Sequence, residues 1–396
     1  MTSRLAACIL VLAGFFLFVK PVAADELLTF VYLGRENDPA YVERKSYTGL
    51  KLREVKPPVE GARAGIKDAR IPGRAAGLAF ELAEIQLDPT ANVADAINSR
   101  LAIDRNSVFL LDLPEADVFE LAHIFKDRSD IVLFNIRHAT DRLRAEDCSA
   151  AMFHTIPSQS MLTDALAQYL VGMNWRHVLL LASESETDST LADKFEQSAR
   201  KFGLQIAGRR LFVTSNDPRQ RELNNARLLT ADADFDVIFV ADNEGEFGRY
   251  LEYRSMLPRP VIGSEGLMAS AWHWTWERNG APQLNQRIRK LTQANPSPLD
   301  WAAWVAVKSA VSGAIATHSV EPKAIREMLI AADLEIDMYK VGPGSFRPWD
   351  HQLRQPILLH TYNAVITTAP IEGFAHQFNT FDTLGFDKPE NRCSLR

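Results

Sequence analysis

The sequence predicts an α/β protein built as two doubly wound, parallel-sheet lobes. Short apolar, β-rich runs alternate with segments of helical length from Leu27 onward, and the alternation stops and restarts after Cys148. The chain has 396 residues, 46% hydrophobic and 24% charged, a soluble globular composition long enough for two cores rather than one.

The first series opens with "LLTFVYLG" from Leu27, a strand buried on both faces. Lys51 to Gly73 is rich in proline, glycine and basic residues, and is expected to hold a short helix around Glu60 to Arg70. Helices are predicted over Asn92 to Ile103 and over Pro114 to Lys126, where Pro114 stands at a helix start. "VFLLDLP" and "DIVLFNIRH" supply two more strands, each running into polar or proline residues that begin a turn.

In the second series, "MLTDALAQYLVGMNW" sets Leu162, Leu166, Tyr169 and Leu170 on one helical stripe, and "RHVLLLASES" is the strand that follows. "LADKFEQSARKFGLQIAGRRLFV" gives a further helix and strand, "NNARLLTADADFDVIFVADNEGEFGRYLEYR" another pair, and "RPVIGSEG" one more strand. Next come the tryptophan stretch "SEGLMASAWHWTWERNG" and a small-residue helix, "PLDWAAWVAVKSAVSGAIATHS". "SFRPWDHQLRQPILLHTYNAVI" reads as a loop and paired extended segments, and "EGFAHQFNTFDTLGFD" as an irregular tail.

The N-terminus carries one positive charge in "MTSR", an apolar run from Leu5 to Val19, and small residues in "PVAA". That order is the pattern of a secretory signal peptide, residues 1–24, cut after Ala24. A membrane anchor is the competing reading, but it needs ~20 apolar residues and this run is shorter. Cys8 leaves with the leader, so Cys148 and Cys393 remain. In an exported chain such a pair means one disulfide, with two free thiols as the alternative. The net charge of −6 becomes more negative once Arg4 and Lys20 are removed, which argues against a nucleic-acid partner.

With its leader, "FVYLG", "FHTIPSQSMLTDALAQYL" and "PVIGSEGL", the chain resembles a type I periplasmic solute-binding protein of the Leu/Ile/Val-binding class. The resemblance implies two lobes joined by three hinge crossings, a ligand held between them by hinge closure, periplasmic location, a monomer, and an ABC transporter permease as partner. Lobe 1 is then expected to comprise 25–150 with 268–338, and lobe 2 151–267 with 339–396. Four blocks, "HTIPSQSMLTDALAQYL", "WHWTWERNGAPQLNQR", "SFRPWDHQLRQPILL" and "FDTLGFDKPENRC", are similar to the subfamily associated with quinoprotein alcohol dehydrogenases. That similarity implies pyrroloquinoline quinone (PQQ) as the bound ligand, captured for uptake or for delivery to quinoprotein dehydrogenases as partners. Two alternatives stay open: another anionic or aromatic metabolite, or an accessory or sensory role beside a quinoprotein dehydrogenase.

In doubly wound sheets, ligands bind outside the carboxyl ends of the strands. Those ends in the first series are Arg35 and Glu36, Asp112, and Asn135, Arg137 and His138 of "FNIRHATD". In the second series they are Ser183 and Glu184, Asn243 and Glu244, and Glu265. PQQ is a planar tricarboxylate, so its site needs cations and an aromatic face. Arg35, Arg137 and Arg278 are the candidates to grip carboxylates with a planar fork. Trp272, then Trp274, are the candidates to stack on the ring, with burial in the core as the rival reading. Trp301 and Trp304 are read as core. His138 and His154 have no second histidine at helical ligand spacing, and no metal site is expected. No G-x-S-x-G, Walker, H-E-x-x-H or G-x-G-x-x-G motif occurs, so neither catalysis nor a catalytic cofactor is expected.

Overall fold

A computed structural model describes residues 26–395, apart from 47, 48, 50, 53, 216 and 332. The predicted leader, its cleavage after Ala24 and Cys8 lie outside the described residues.

The first half forms β1 (Glu26–Arg35), α1 (Val59–Ala76), β2 (Leu78–Leu87), α2 (Val93–Ile103), β3 (Ser107–Asp112), α3 (Glu115–Ile124), β4 (Val132–Asn135) and β5 (Met152–His154). The five strands are all parallel, in the order β2-β1-β3-β4-β5. Alternate residues of β1 serve opposite cores, because successive side chains of a strand point to opposite faces. Leu28, Phe30 and Tyr32 pack toward α1, while Val31 and Leu33 pack toward α2 and α3. A strand covered on both faces must be apolar throughout, which is why "LLTFVYLG" is legible as buried.

The second half repeats the plan with α4 (Gln159–Gly172), β6 (His177–Ala182), α5 (Glu186–Lys201), β7 (Gln205–Leu211), the short α6 (Ala226–Leu229), β8 (Val237–Ala241), the short α7 (Leu251–Arg254) and β9 (Val261–Gly263). Its sheet is β7-β6-β8-β9, also parallel. The order reverses between β1 and β3 in one sheet and between β6 and β8 in the other, and at such switch points the loops part and leave a crevice.

The remaining chain supplies β10 (Met268–Ser270), α8 (Ala281–Thr292), α9 (Pro298–Thr317), α10 (Pro322–Leu329), the small pair β11 (Ser345–Phe346) and β12 (Leu353–Arg354), then β13 (Ile357–His360) and β14 (Val365–Ala369). Strands β10, β13 and β14 make an antiparallel sheet against α4. Helix α9 starts with a capping box, Ser297 and Asp300 each bonding the other's backbone N–H, and buries Trp301 and Trp304 as expected. The α8–α10 segment, with Phe346 and Leu353, joins the core of the first sheet, whereas Ile357, Leu359, Ala369 and Leu384 join that of the second. Cys148 and Cys393 form a disulfide, tying the tail to the loop after β4.

Helix α1 is longer than the expected Glu60 to Arg70. It lies close against α9 because two glycines, one turn apart, remove the side chains that would separate them. A Cβ on Gly61 would stand 2.0 Å from the Asp300 carbonyl oxygen, and one on Gly65 2.8 Å from Val307 Cβ. Gly61→Ala is expected to force the helices apart and cost about 2 kcal/mol. Denaturant unfolding measures this, and unchanged stability would contradict the close approach.

Candidate functional site

The carboxyl ends of the strands place most of the expected residues on two facing walls, with the loop 36–58 between β1 and α1 extending from one to the other. Connections of this kind usually take about 2–6 residues, and a much longer one is commonly functional.

On the first wall, Asp112 at the end of β3 is buried and accepts hydrogen bonds from the hydroxyls of Tyr32, on β1, and Tyr41, on the long loop. Arg137, just past β4, puts Nη1 2.6 Å from Asp38 Oδ2 and 3.4 Å from Asp112 Oδ1, and Nη2 3.4 Å from Asp38 Oδ1. Its guanidinium also lies 4.9 Å from the Tyr41 ring centroid. Burial raises the Asp112 carboxyl above its usual range, against the opposing pull of both tyrosines and Arg137. Burial likewise pushes up Asp38, but the bonds from Arg137 and the Ala40 N–H outweigh it and hold that carboxyl below the usual range.

Asn135 shapes the turn that presents Arg137. Its Oδ1 accepts from the N–H groups of Arg137 (3.2 Å) and His138 (2.9 Å), and its Nδ2 donates to the His138 carbonyl at 2.8 Å. The His138 ring contacts the Leu113 carbonyl at 2.7 Å, and burial pulls its pKa down to about 4. It is therefore uncharged at neutral pH and offers no second cation.

The second wall is acidic. Asp188 accepts from the Ser183 hydroxyl and from both the backbone N–H and the side-chain amide of Asn243. Asp242 takes the N–H groups of Gly245, Phe247 and Gly248. Glu244 receives Arg44 of the long loop at 3.1 Å, the contact that carries the loop across to this wall. The Glu246 carboxyl is raised, first by burial and then by the charges of Asp242 and Glu244, which marks a negative local field. A cavity of about 440 Å³ here is lined by Ser183, Glu184, Asn243, Glu244, Arg44 and Phe212, among others. A second, of about 560 Å³, is bounded by Glu244, Glu265, Leu52, Met268 and Tyr362. A larger cavity of about 700 Å³ lies elsewhere, beside α5 and the tail, and its Lys194 and Lys201 are bound to Asp141 and Asp164.

Four of the expected residues are engaged elsewhere or stand outside the two cavities. Arg35 is consumed on the outer side of its strand end: Nε and Nη2 grip Asp117 at 2.5 and 2.9 Å, and the carbonyls of Asp88, Pro89 and Ala91 take its remaining donors. Trp272 is 1% exposed, stacks on Trp301 at 6.1 Å and donates Nε1 to Asn285 Oδ1 at 2.9 Å, so it is core and not a ligand platform. Trp274 is half-buried beside His273, and Arg278 is exposed; neither lines the two cavities. The alternate spacing of the tryptophans suggests one extended face, but β10 ends at Ser270 and the chain turns, sending Trp272 and Trp276 inward. Glu36 is exposed at the end of β1.

Asp38, Tyr41 and Arg44 are not among the residues the sequence singles out. The length of the segment between the first strand and the first helix is the available signal, since polar and aromatic residues in an overlong loop at a strand's carboxyl end are placed to reach a cleft. Among the described residues no cluster of three potential ligands is placed to hold a metal ion, and no helix is long and apolar enough to cross a membrane.

Trp272→Ala is expected to cost about 3–5 kcal/mol of stability, as removal of a large core side chain does. Chemical denaturation checks this. A variant of wild-type stability would contradict the core assignment.

Residues 54–245 match the model of a family described as periplasmic binding protein. The solved structures similar to this chain include a periplasmic binding protein from Burkholderia mallei, 15% identical with a TM-score of 0.62, covering 94% of this chain and 99% of that one. A solute-binding protein of an ABC transporter from R. palustris, in complex with benzoate, is 11% identical with a TM-score of 0.61 over 93% of this chain and 100% of that one. An ABC transporter substrate-binding protein from Desulfitobacterium hafniense, in complex with leucine, is 15% identical with a TM-score of 0.62 over 86% and 99%. Comparison with curated protein sequences found no match. The two parallel sheets, their strand orders and these similarities together give the chain the fold of type I periplasmic binding proteins.

Proposed function

We propose that this protein is a periplasmic solute receptor of an ABC transporter, and that its interlobe cleft takes a small organic metabolite with an aromatic or apolar body and a single carboxylate. The observation behind this reading is the charge arrangement of the two walls. Of the two arginines at the strand ends of the first wall, Arg35 is committed to Asp117 on the outer side, which leaves Arg137, held in turn by Asp38 of the long loop. Glu184, Glu244, Glu246 and Glu265 stand on the other wall. One carboxylate can be met by one guanidinium fork. Three would need further cations, and those lining the two cavities are already engaged, Arg44 by Glu244, Lys51 by Glu43 and Glu54, and Arg249 by the Gly245 carbonyl, so the surplus charges of a tricarboxylate would face acidic side chains.

PQQ, the ligand implied by the quinoprotein-associated resemblance, is disfavoured on that ground and has also lost its expected aromatic platform, Trp272. Apolar surface for a smaller body comes from Leu52, Met268, Phe212 and Tyr362. Leucine and benzoate, held by two structures of this fold, have the proposed size and carboxylate count. The role is capture and release, without catalysis. The lobes we propose run from residue 26 to about 155 with 271–355, and from about 156 to 270 with 356–386. These limits take Phe346 and Leu353, which pack in the first core, with the first lobe, and β13, whose Ile357 and Leu359 pack in the second core while Leu358 faces the first, with the second.

Calorimetric titration of the mature protein with benzoate, leucine and PQQ tests the reading. Saturable, equimolar binding of a monocarboxylate and none of PQQ is expected. Saturable binding of PQQ alone would restore the larger ligand, and binding of none of the three would overturn this receptor reading.

A further inference from the structure

We propose that Asp38 is an internal competitor for the ligand's carboxylate, and that the loop residues 38–44 therefore set which solutes the cleft accepts. The inference rests on the receptor reading above and names what opposes binding at the same site.

Asp38 holds Arg137 through both carboxylate oxygens, at 2.6 and 3.4 Å. This two-point grip on a planar fork is the contact an incoming carboxylate would make. Asp38 comes from the loop and not from the wall, and a local turn fixes its position. Its Oδ1 also accepts the Ala40 N–H at 2.9 Å, bending the chain so that Tyr41 reaches Asp112 three residues later. Arg44, three residues further, reaches Glu244 on the facing wall. Residues 38–44 thus lie between Arg137 and the cavities of the second wall.

Exchange of one carboxylate for another keeps Arg137 paired once Asp38 has turned out to solvent, so a monocarboxylate can take over the guanidinium with one added charge to accommodate. A ligand without a carboxylate cannot hold the guanidinium, and one with several adds negative charge beside Glu244 and Glu246. Selection is therefore by charge count as well as by shape. The cost is affinity, because every ligand must first break the Asp38–Arg137 pair.

Removing Asp38's charge while keeping its turn-forming oxygen separates this from a structural role. Asp38→Asn and Asp38→Ser are titrated with benzoate and leucine beside the wild type and Asp95→Asn, which removes an exposed carboxylate of α2 outside the cleft. Both Asp38 variants are expected to bind the wild-type's preferred monocarboxylate roughly tenfold more tightly, as befits one charge-assisted bond no longer broken, and Asp95→Asn within about twofold of wild type. Thermal unfolding identifies a variant that has failed to fold, and the other then decides. Wild-type binding with no gain in the folded Asp38 variant, or an equal gain in Asp95→Asn, would overturn the competitor role and leave the receptor reading standing. No binding by any protein would overturn both.

Discussion

The buried carboxylate of Asp112 fixes the geometry around which the cleft is arranged. It stands at the β1/β3 switch point, where the fold leaves a crevice, and a carboxylate in so dry a place is tolerable only if its lone pairs are filled. Tyr32 fills one from within the sheet, Tyr41 another from the long loop, and Arg137 approaches from the next strand end. The consequence is mechanical. Because Tyr41 is drawn to Asp112, Asp38 is held against Arg137, and a loop with little regular structure acquires a defined position over the first wall.

The crossings between the cores are built on a different principle, buried cations satisfied mainly by carbonyl groups. Arg144 is 1% exposed and gives its donors to Gln352 Oε1 and to the carbonyls of His138, Thr140 and Ile156, while burial lowers its pKa to about 10. Gln355 donates to the Thr155 carbonyl, and Lys340, over the Trp301 ring at 3.6 Å, donates to Gln355 and to the Pro356 carbonyl. The chain near Thr155 and the chain near Gln355 are thereby bound side by side. Hydrogen bonds of this kind are directional without a paired charge, so they hold register between crossings that belong to different halves of the sequence.

Much of this is legible in the sequence, and the exceptions have physical causes. Strands buried on both faces are short apolar runs that need no long-range information, and the positions at their ends follow directly; Asp112, Arg137, Ser183, Asn243 and Glu244 stand at or just past such ends. Asp38 and Tyr41 are not, because their partners lie 99 and 71 residues away and the segment around them has no periodicity. The tryptophans mislead for the opposite reason. Their local spacing is conspicuous, yet what decides a tryptophan's role is whether an acceptor waits inside the protein for its indole N–H. Asn285 waits for Trp272, and the Tyr339 carbonyl for Trp276.

If Arg137 receives the ligand's carboxylate in exchange for that of Asp38, a crystal structure of the mature protein grown with benzoate will show the exchange directly. Carboxylate oxygens are expected about 2.7–2.9 Å from the Arg137 guanidinium, with Asp38 withdrawn from it. Benzoate bound in the cleft while Asp38 still holds Arg137 would contradict the exchange.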